Sequence, residues 1–244
     1  MLIGIYKNNY LEEKNTLLDA LNLRNKRIIS FVGGGGKTSC IYNLSKELGA
    51  LGKKVIITTT THMFMPKENF VLGEDINKVK EALENNNVIV VGNKASEEKI
   101  KSMNISFYDE LIKVCDYLLI EADGSKRLPL KAPALHEPVI IHRTEVIVGI
   151  VGIDALNKCI SKVCHRPERV SEVLKKNISE TINEEDIALL LSSKEGQMKY
   201  INNTIEYRAL INKVDNKELL LRAFNISDKL QKKNIYTIIT SFKE

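Results

Sequence analysis

The chain has 244 residues, of which 43% are hydrophobic and 27% are charged, and its formal net charge is +5 at pH 7. These values are ordinary for a folded soluble protein and allow one large domain with a substantial core. Lysines and arginines are interspersed with acidic residues, so we expect a solvated surface and no nucleic-acid partner. No apolar run approaches the roughly 20 residues that span a membrane. Residues 1–15 lack the regions of a secretory signal, which favours a cytoplasmic location and no membrane partner.

Short apolar runs and helical patterns alternate along the chain. The leucines between residues 11 and 22 recur at helical spacing and predict a leading helix there. Seven apolar runs, most of them rich in β-branched residues, predict strands. They occupy residues 27–32, 53–61, 88–91, 117–121, 145–151, 207–211 and 235–240. Near-continuous apolar strands separated by helices predict an α/β fold of three layers, in which helices cover both faces of a mostly parallel sheet.

Helix signals between the strands support this fold. Apolar spacing predicts a helix over residues 39–51, and a capping box at residues 181–184 predicts the start of another. A further helix over residues 219–230 would begin after Asp215 or Asn216 as its cap. In an open parallel sheet, ligands bind at the carboxyl ends of the strands. The residues that follow each strand are therefore the candidate functional residues.

A glycine-rich loop follows the strand at residues 27–32. The stretch "SFVGGGGKTSC" contains the candidate nucleotide-binding residues Gly33, Gly34, Gly35, Gly36, Lys37, Thr38 and Ser39. Loop N–H groups and a helix start can bind phosphate, Lys37 would reach the terminal phosphates as a catalytic residue, and Thr38 would ligate Mg²⁺. Phe31 stands where G-x-x-x-x-G-K-[ST] requires glycine. Either Ser30 replaces that glycine and one residue is inserted, or the loop is shorter. The alternative to a phosphate-binding loop is a flexible turn with a surface lysine.

Two acidic residues end the strand at residues 117–121. Glu121 and Asp123 lie where a Walker B acid would hold Mg²⁺ or its coordinated water, and Asp123 is also a catalytic candidate. Residues 121–124 also fit E-x-x-G, the form that the third nucleotide motif takes in metallochaperone GTPases. The structural alternative is an acidic turn at a strand end.

A third motif, "NKVD", follows the strand at residues 207–211. Its Asn212, Lys213 and Asp215 match the guanine-recognition tetrad [NT]-K-x-D. The aspartate accepts hydrogen bonds from the N1–H and the exocyclic amine of guanine, a pair that adenine cannot offer. With the lysine loop and the strand-end acids in the expected order, the motif favours Mg²⁺ with GTP, or with another nucleoside triphosphate, as the cofactor.

Other polar stretches have no counterpart in a generic GTPase. They carry the candidate substrate or partner residues His62, Lys126, Arg127, Lys131, His136 and Arg166. His62 could be a ligand, a proton carrier or an exposed loop residue. The basic, proline-rich segment at residues 124–140 could cover the phosphates or an anionic substrate, or could be a rigid connection. Arg166 could contact an anion or precede a helix that opens with Pro167.

Taken together, these stretches resemble the YqeC family, described as selenium-dependent hydroxylase accessory or selenium cofactor biosynthesis proteins. The resemblance runs from about residue 31 to residue 215 and rests on "FVGGGGKTS", "TTTTHM", "LIEADGSKRLPLKAPALHEPVI", "IVGIDALNK", "HRPERV" and "INKVD". It implies a cytosolic bacterial accessory protein with a nucleotide-binding core. Its expected partner is a molybdenum hydroxylase or the cofactor of that enzyme.

These observations lead to one main functional hypothesis and two alternatives. We expect residues 1–244 to form a single nucleotide-binding domain of the P-loop NTPase type, with an inserted subregion at about residues 124–205. The main hypothesis is a Mg²⁺-dependent, GTP-binding accessory protein that acts as a GTPase in hydroxylase maturation. The alternatives are a transferase or kinase-like enzyme acting on a small anionic substrate, and a scaffold or chaperone that binds nucleotide without hydrolysing it.

Overall fold

The computed structural model describes residues 1–243, in which strands and helices alternate. The strands are β1 (Leu2–Lys7), β2 (Tyr10–Glu13), β3 (Ile28–Gly33), β4 (Val55–Thr59), β5 (His62–Phe64), β6 (Phe70–Leu72), β7 (Val88–Lys94), β8 (Lys99–Lys101), β9 (Tyr117–Glu121), β10 (Leu130–Lys131), β11 (Val146–Gly152), β12 (Cys164–His165), β13 (Glu206–Asn212) and β14 (Tyr236–Ser241). The helices are α1 (Leu17–Ala20), α2 (Lys37–Ala50), α3 (Ile76–Asn85), α4 (Ile105–Val114), α5 (Ile160–Val163), α6 (Pro167–Leu174), α7 (Glu184–Ser192) and α8 (Lys217–Gln231), with a 3-10 helix at Ile153–Ala155. None of these helices combines the length and the apolar character that a membrane crossing requires.

Within residues 1–243, twelve strands form one large sheet. Its order is β2-β1-β14-β13-β11-β3-β9-β4-β7-β8-β5, and β6 also pairs with β7. Neighbouring strands run parallel from β14 to β7 in this order, and β6 pairs parallel with β7. Strands β1 and β2 extend one side of the sheet, and β8 and β5 extend the other, in antiparallel pairings. Strands β10 and β12 form a separate two-stranded sheet. The predicted mostly parallel sheet is confirmed.

Helices cover both faces of the sheet, as predicted. Successive side chains of a strand point to opposite faces, so Phe31 and Val32 in β3 belong to different apolar clusters. Phe31 packs in the cluster that contains α1 and α2, and Val32 packs in the cluster that contains α3 to α8. This burial on both faces explains why the central strands read as continuous apolar runs.

The predicted helix over residues 11–22 is wrong for most of its length. Residues Tyr10–Glu13 form β2, which pairs with β1 as an antiparallel hairpin. The turn is made by Asn8 and Asn9, whose φ angles of 44° and 67° are left-handed conformations that asparagine tolerates. Only α1 remains helical, and it starts at the N-cap Thr16. The asparagine pair reverses the chain and overrides the helical spacing of the leucines.

Two predicted helix caps have different outcomes. The capping box lies two residues later than expected, because Asn183 caps α7 and exchanges hydrogen bonds with Asp186. Of the two candidates for the start of α8, Asn216 is the N-cap.

Residues 124–205, where an inserted subregion is expected, contribute β11 to the large sheet in addition to the small β10–β12 sheet.

The sheet order brings the motifs together. Strand β3 lies between β9 and β11, and β13 is the next neighbour of β11. Because these strands are parallel, their carboxyl ends lie at the same edge of the sheet. The glycine loop after β3, the acids at the end of β9 and the NKVD motif after β13 therefore meet at this edge.

Candidate functional site

The glycine loop is shorter than the usual phosphate-binding loop. Strand β3 continues to Gly33 and α2 begins at Lys37, so only residues 34–36 separate the two elements. Phe31 lies inside the strand, paired in register with Glu121, and its side chain is fully buried. Since position 31 belongs to the core, no glycine is required there. Of the two alternatives for the loop, the shorter one is observed.

Three N–H groups of the loop are bonded to the protein itself. Gly33 donates to the carboxylate of Asp123 (3.0 Å), Gly34 to the carbonyl of Ile150 (2.9 Å), and Gly35 to the carbonyl of Leu128 (3.0 Å). Gly35 has a φ of 76°, and an added Cβ would lie 2.1 Å from the backbone nitrogen of Gly152. The loop therefore requires glycine for its close contact with the end of β11. These three glycines lie outside the lining of the nearby cavity.

The free N–H groups lie at the start of α2. Those of residues 36–39 make no hydrogen bond with residues 1–243, and the N-cap Gly36 supplies no side-chain cap. The first N–H groups of a helix have no partner within the helix, and the helix dipole makes this end positive. All four residues line a cavity of about 750 Å³. The donors available to an anion are thus those of the helix start.

Lys37 lies between the loop and two carboxylates. It is 3% exposed, and its Nζ donates to the carbonyl of Gly33 at 2.6 Å. The same nitrogen lies 3.2 Å from Asp123 Oδ1 and 3.9 Å from Glu121 Oε1. The lysine therefore folds back over its own loop while still lining the cavity.

Thr38 and Glu121 form a pair of oxygen ligands at the cavity wall. Thr38 Oγ1 donates to Glu121 Oε2 at 2.9 Å, and both residues line the cavity. Burial raises the pKa of the Glu121 carboxyl, and the Lys37 ammonium and the Thr38 hydroxyl oppose this only in part. Hydroxyl and carboxylate oxygens are suitable ligands for Mg²⁺. The described residues contain no group of three or more His, Cys, Asp or Glu that could hold a metal ion, so an ion here would need ligands from a bound molecule or water.

Asp123 has a different position from Glu121. It is 2% exposed and does not line the cavity. Its oxygens accept from the N–H of Gly33 and contact both Lys37 and Lys131 at 3.2 Å. These contacts hold the glycine loop against two lysines. Of the two acids predicted to bind Mg²⁺, the structure brings Glu121 to the cavity and leaves Asp123 beneath it.

Lys131 is the buried centre of an ion-pair chain. Its side chain is fully buried, and Nζ contacts Glu137 at 2.7 Å and donates to the carbonyl of Gly124 at 2.8 Å, in addition to its contact with Asp123. Glu137 also accepts from Arg166 at the cavity wall. Burial alone would raise the pKa of Glu137, but Lys131 and Arg166 outweigh it and lower this pKa to about 2. This ion-pair chain connects Lys37 in the glycine loop to Arg166 at the cavity wall.

The lowered pKa of Glu137 predicts a pH dependence of stability. A depressed carboxyl pKa stabilises the folded state above the ordinary value of 4.5, and this contribution is lost as the pH falls to about 2. Glu137→Gln should therefore be less stable than the wild type at neutral pH, with a difference that shrinks over this range. Urea unfolding at several pH values measures it. Glu110→Gln, at an exposed position in α4, is the control, and a difference independent of pH would contradict the assignment.

Asn212 connects the NKVD motif to the glycine loop. Its Nδ2 donates to the carbonyl of Gly35 at 2.8 Å, and its Oδ1 accepts from the Thr240 hydroxyl at 3.0 Å. Asn212 is buried, so both ends of its amide are used within the protein. It fixes the carboxyl ends of β13 and β14 to the loop.

The other two residues of the motif are more accessible. Lys213 lines the cavity and its Nζ donates to Asp154 at 2.8 Å. Asp215 is exposed, lies outside the cavity lining, and accepts from the hydroxyl of Ser241 at 2.6 Å. Ser241, the last residue of β14, therefore lies beside the aspartate.

The remaining candidate residues divide into two groups. His62, Lys126, Arg127 and Arg166 line the cavity with the start of α2. His136 is exposed and outside the lining, and Lys131 is in the buried ion-pair chain. The segment at residues 124–140 is thus partly a cavity wall and partly a packed connection.

Sequence reasoning missed several cavity residues, among them Phe64, Lys99, Glu137 and His165. Phe64 and Lys99 lie on the adjacent strands β5 and β8, and no motif marks them. His165 lies beside the chain of ion pairs, with Nδ1 3.0 Å from the carbonyl oxygen of Gly124. Burial, together with nearby Lys131, lowers the pKa of His165. Its position two residues after the predicted His62 was the available signal for Phe64.

The fold and the site define a mixed α/β protein with a short glycine loop, a loop lysine and strand-end acids at the carboxyl edge of its sheet. The family model described as YqeC protein matches residues 29–168, a range that contains the loop, both acids and the ion-pair chain. A curated relative from Escherichia coli (strain K12), "Uncharacterized protein YqeC", is 30% identical over 218 residues, which cover 86% of this chain and 85% of the relative. The chain belongs to the YqeC family.

Proposed function

We propose that this YqeC-family protein binds a nucleoside triphosphate with Mg²⁺, with GTP preferred, in a single domain of the P-loop NTPase type. The observation that carries the proposal is the hydrogen bond of 2.9 Å between Thr38 Oγ1 and Glu121 Oε2. It places a hydroxyl and a carboxylate beside the free N–H groups of residues 36–39 and the ammonium of Lys37. Donors for phosphate and ligands for a divalent ion thus share one cavity.

The phosphates would bind at the start of α2. The N–H groups of residues 36–39 supply hydrogen-bond donors, and the positive end of the helix attracts the anion. Lys37 exchanges its contact with the Gly33 carbonyl for a phosphate oxygen. Asp123 keeps its bond from the Gly33 N–H and its contact with Lys131, so the loop stays anchored during this exchange.

Thr38 and Glu121 would hold the Mg²⁺ ion. Bound Mg²⁺ neutralises part of the phosphate charge and polarises the phosphoryl oxygens. Glu121 has a raised pKa because it is buried, and a neighbouring cation favours its ionised form. Asp123 supports the site from below by holding the loop and Lys37 together.

Asp215 would select the base. The bond from Asn212 to the Gly35 carbonyl places the NKVD turn directly beside the glycine loop. Asp215 is exposed and can accept the two hydrogen bonds that guanine offers. Lys213, at the cavity wall, would lie along the base. Adenine does not offer this pair of donors, so the carboxylate would gain no hydrogen bond from that base.

Base selection gives the direct test of the proposal. We expect the wild type to bind GTP at least about 10-fold more tightly than ATP in the presence of Mg²⁺, and Asp215→Ala to remove this preference by weakening GTP alone. Calorimetric titration with each nucleotide measures both affinities. Glu218→Gln, an exposed change in the first turn of α8, should leave the preference intact. Equal or absent affinities of the wild type would remove the guanine assignment.

The cellular role would be cytoplasmic maturation of a selenium-dependent molybdenum hydroxylase, with the bound nucleotide gating contact with that client. Membership of the YqeC family supports this proposal. A host strain that carries Lys37→Ala should lose hydroxylase activity. If this variant still matures the hydroxylase and the protein does not hydrolyse GTP, the non-hydrolysing scaffold is favoured instead.

A transferase or kinase-like enzyme is the second candidate. The specific observation in its favour is that Lys126 and Arg127 line the same cavity as the start of α2, so a small anionic substrate would lie near the nucleotide. Transfer of the terminal phosphoryl group to added anions distinguishes this activity from hydrolysis. Hydrolysis to inorganic phosphate alone would favour the GTPase.

A further inference from the structure

One part of the cavity wall carries positive charge that the nucleotide proposal does not use. Lys99, Lys126 and Arg127 line the cavity, and none of them forms an ion pair with any residue in the described part of the chain. In contrast, Lys37 and Arg166 in the same cavity are each paired with a carboxylate. All three side chains are exposed, and together they give this wall a positive potential that attracts an anion.

Phe64 holds two of these cations in place. The residue is 42% exposed, with Arg127 Cζ at 4.5 Å and Lys99 Nζ at 5.2 Å from its ring centroid. The face of an aromatic ring attracts a cation but carries no net charge. Both side chains are therefore restrained while their charge stays available to a ligand. A carboxylate in the place of Phe64 would have neutralised them.

The backbone also fixes this wall next to the first site. Lys126 and Arg127 both have left-handed φ angles, 49° and 63°, which cost about 1 kcal/mol or more each for residues with a Cβ. The turn is closed by the bond from Leu128 N–H to the Ser125 carbonyl, and the Leu128 carbonyl accepts from Gly35 in the glycine loop. The two cations are thus positioned by a strained turn bonded to the loop.

We propose that Lys99, Lys126 and Arg127, which we name the basic wall, bind a second anion of the phosphate type. The guanidinium of Arg127 can offer two parallel N–H donors to an oxyanion, and the two lysines add charge. The ligand is either free phosphate or a phosphate group on a larger substrate. The inference deepens the second candidate function and rests on the proposed function in one respect, that the two ligands share one cavity.

The test measures the two ligands independently. The protein, saturated with a non-hydrolysable GTP analogue and Mg²⁺, is titrated calorimetrically with inorganic phosphate and with phenyl phosphate, and the titrations are repeated without nucleotide. We expect binding in both conditions. Tighter binding of phenyl phosphate assigns a phosphate substituent, and equal binding assigns the free ion. Displacement of the analogue by either probe would overturn the inference, because the basic wall would then belong to the nucleotide site.

Variants separate this site from the first. Arg127→Ala should lower the affinity for the more tightly bound of the two probes about 10-fold, since it removes a charge-assisted contact. The affinity for the GTP analogue should change little. Phe64→Leu should also lower the affinity for this probe. This variant leaves the strained turn at Lys126 and Arg127 unchanged. Lys101→Ala, an exposed change on β8 outside the cavity lining, is the control. Unchanged probe affinity in both cavity variants, or no probe binding, would refute the second site. Probe binding that depends on Arg127 without any nucleotide binding would refute only the proposed function.

Discussion

Lys131→Met should lower the free energy of unfolding by about 3–5 kcal/mol. The ammonium of Lys131 lies 3.2 Å from Asp123 and 2.7 Å from Glu137, and the side chain is fully buried. Methionine keeps most of the apolar stem but removes the cation that the two carboxylates share, so that Asp123 keeps only Lys37 and Glu137 keeps only Arg166 as a charged partner. Two buried carboxylates then have one cation fewer between them, which costs far more than the loss of an exposed pair.

Urea unfolding of wild type and variant at neutral pH measures this effect. Lys162→Met is the matched control, because Lys162 is exposed in α5, next to the small sheet that contains Lys131. We expect the control to change the stability by no more than about 0.5 kcal/mol. A loss below about 1 kcal/mol for Lys131→Met, the range of an exposed pair, would show that the chain of ion pairs does not hold the site together.

Lys37→Ala should weaken the binding of Mg²⁺–GTP by about 10- to 100-fold. A hydrogen bond to a charged group contributes about 1.5–3 kcal/mol, and nucleotide binding would lose this contribution when the ammonium is removed. Asp123 keeps its bond from Gly33 and its contact with Lys131, so we expect the loop to stay folded. The variant should also unfold at a lower free energy, because Lys37 is buried beside Asp123 and Glu121, but the cooperativity of unfolding should stay unchanged and the folded protein should show the loss of affinity.

A fluorescent GTP analogue, titrated with and without Mg²⁺, measures this change. Lys46→Ala is the control, since Lys46 is an exposed lysine on the same helix outside the cavity. It should bind the analogue as the wild type does. Equal affinities of wild type and Lys37→Ala would separate the loop lysine from nucleotide binding and would remove the proposed phosphate site.

The sheet and the position of the site could be predicted from the sequence because both depend on local signals. Central strands buried on both faces give continuous apolar runs, and seven such runs became parallel strands. The parallel arrangement then places the residues after each strand at one edge. The parallel arrangement was therefore sufficient to predict that the glycine loop, Glu121 and the NKVD motif would lie at the same edge. The strand order that makes them neighbours is seen only in the structure.

What the sequence did not reveal depends on contacts between distant residues. Lys131 belongs to a basic segment, and its burial follows only from the approach of Asp123 and Glu137 in the fold. The bonds that occupy the loop N–H groups likewise come from β11 and from Leu128. Phe64 and its two cations come from three separate segments. No spacing rule along the chain predicts such pairings.

The most direct measurement is a crystal structure of the protein with a non-hydrolysable GTP analogue and Mg²⁺. We expect phosphate oxygens within hydrogen-bond distance of the N–H groups of residues 36–39. Mg²⁺ should be bound by Thr38, with Glu121 as a ligand or beside its coordinated water, and the base should lie at the Asp215 carboxylate. A nucleotide bound elsewhere on the protein, or protein crystals that contain no nucleotide at saturating concentration, would contradict this proposal.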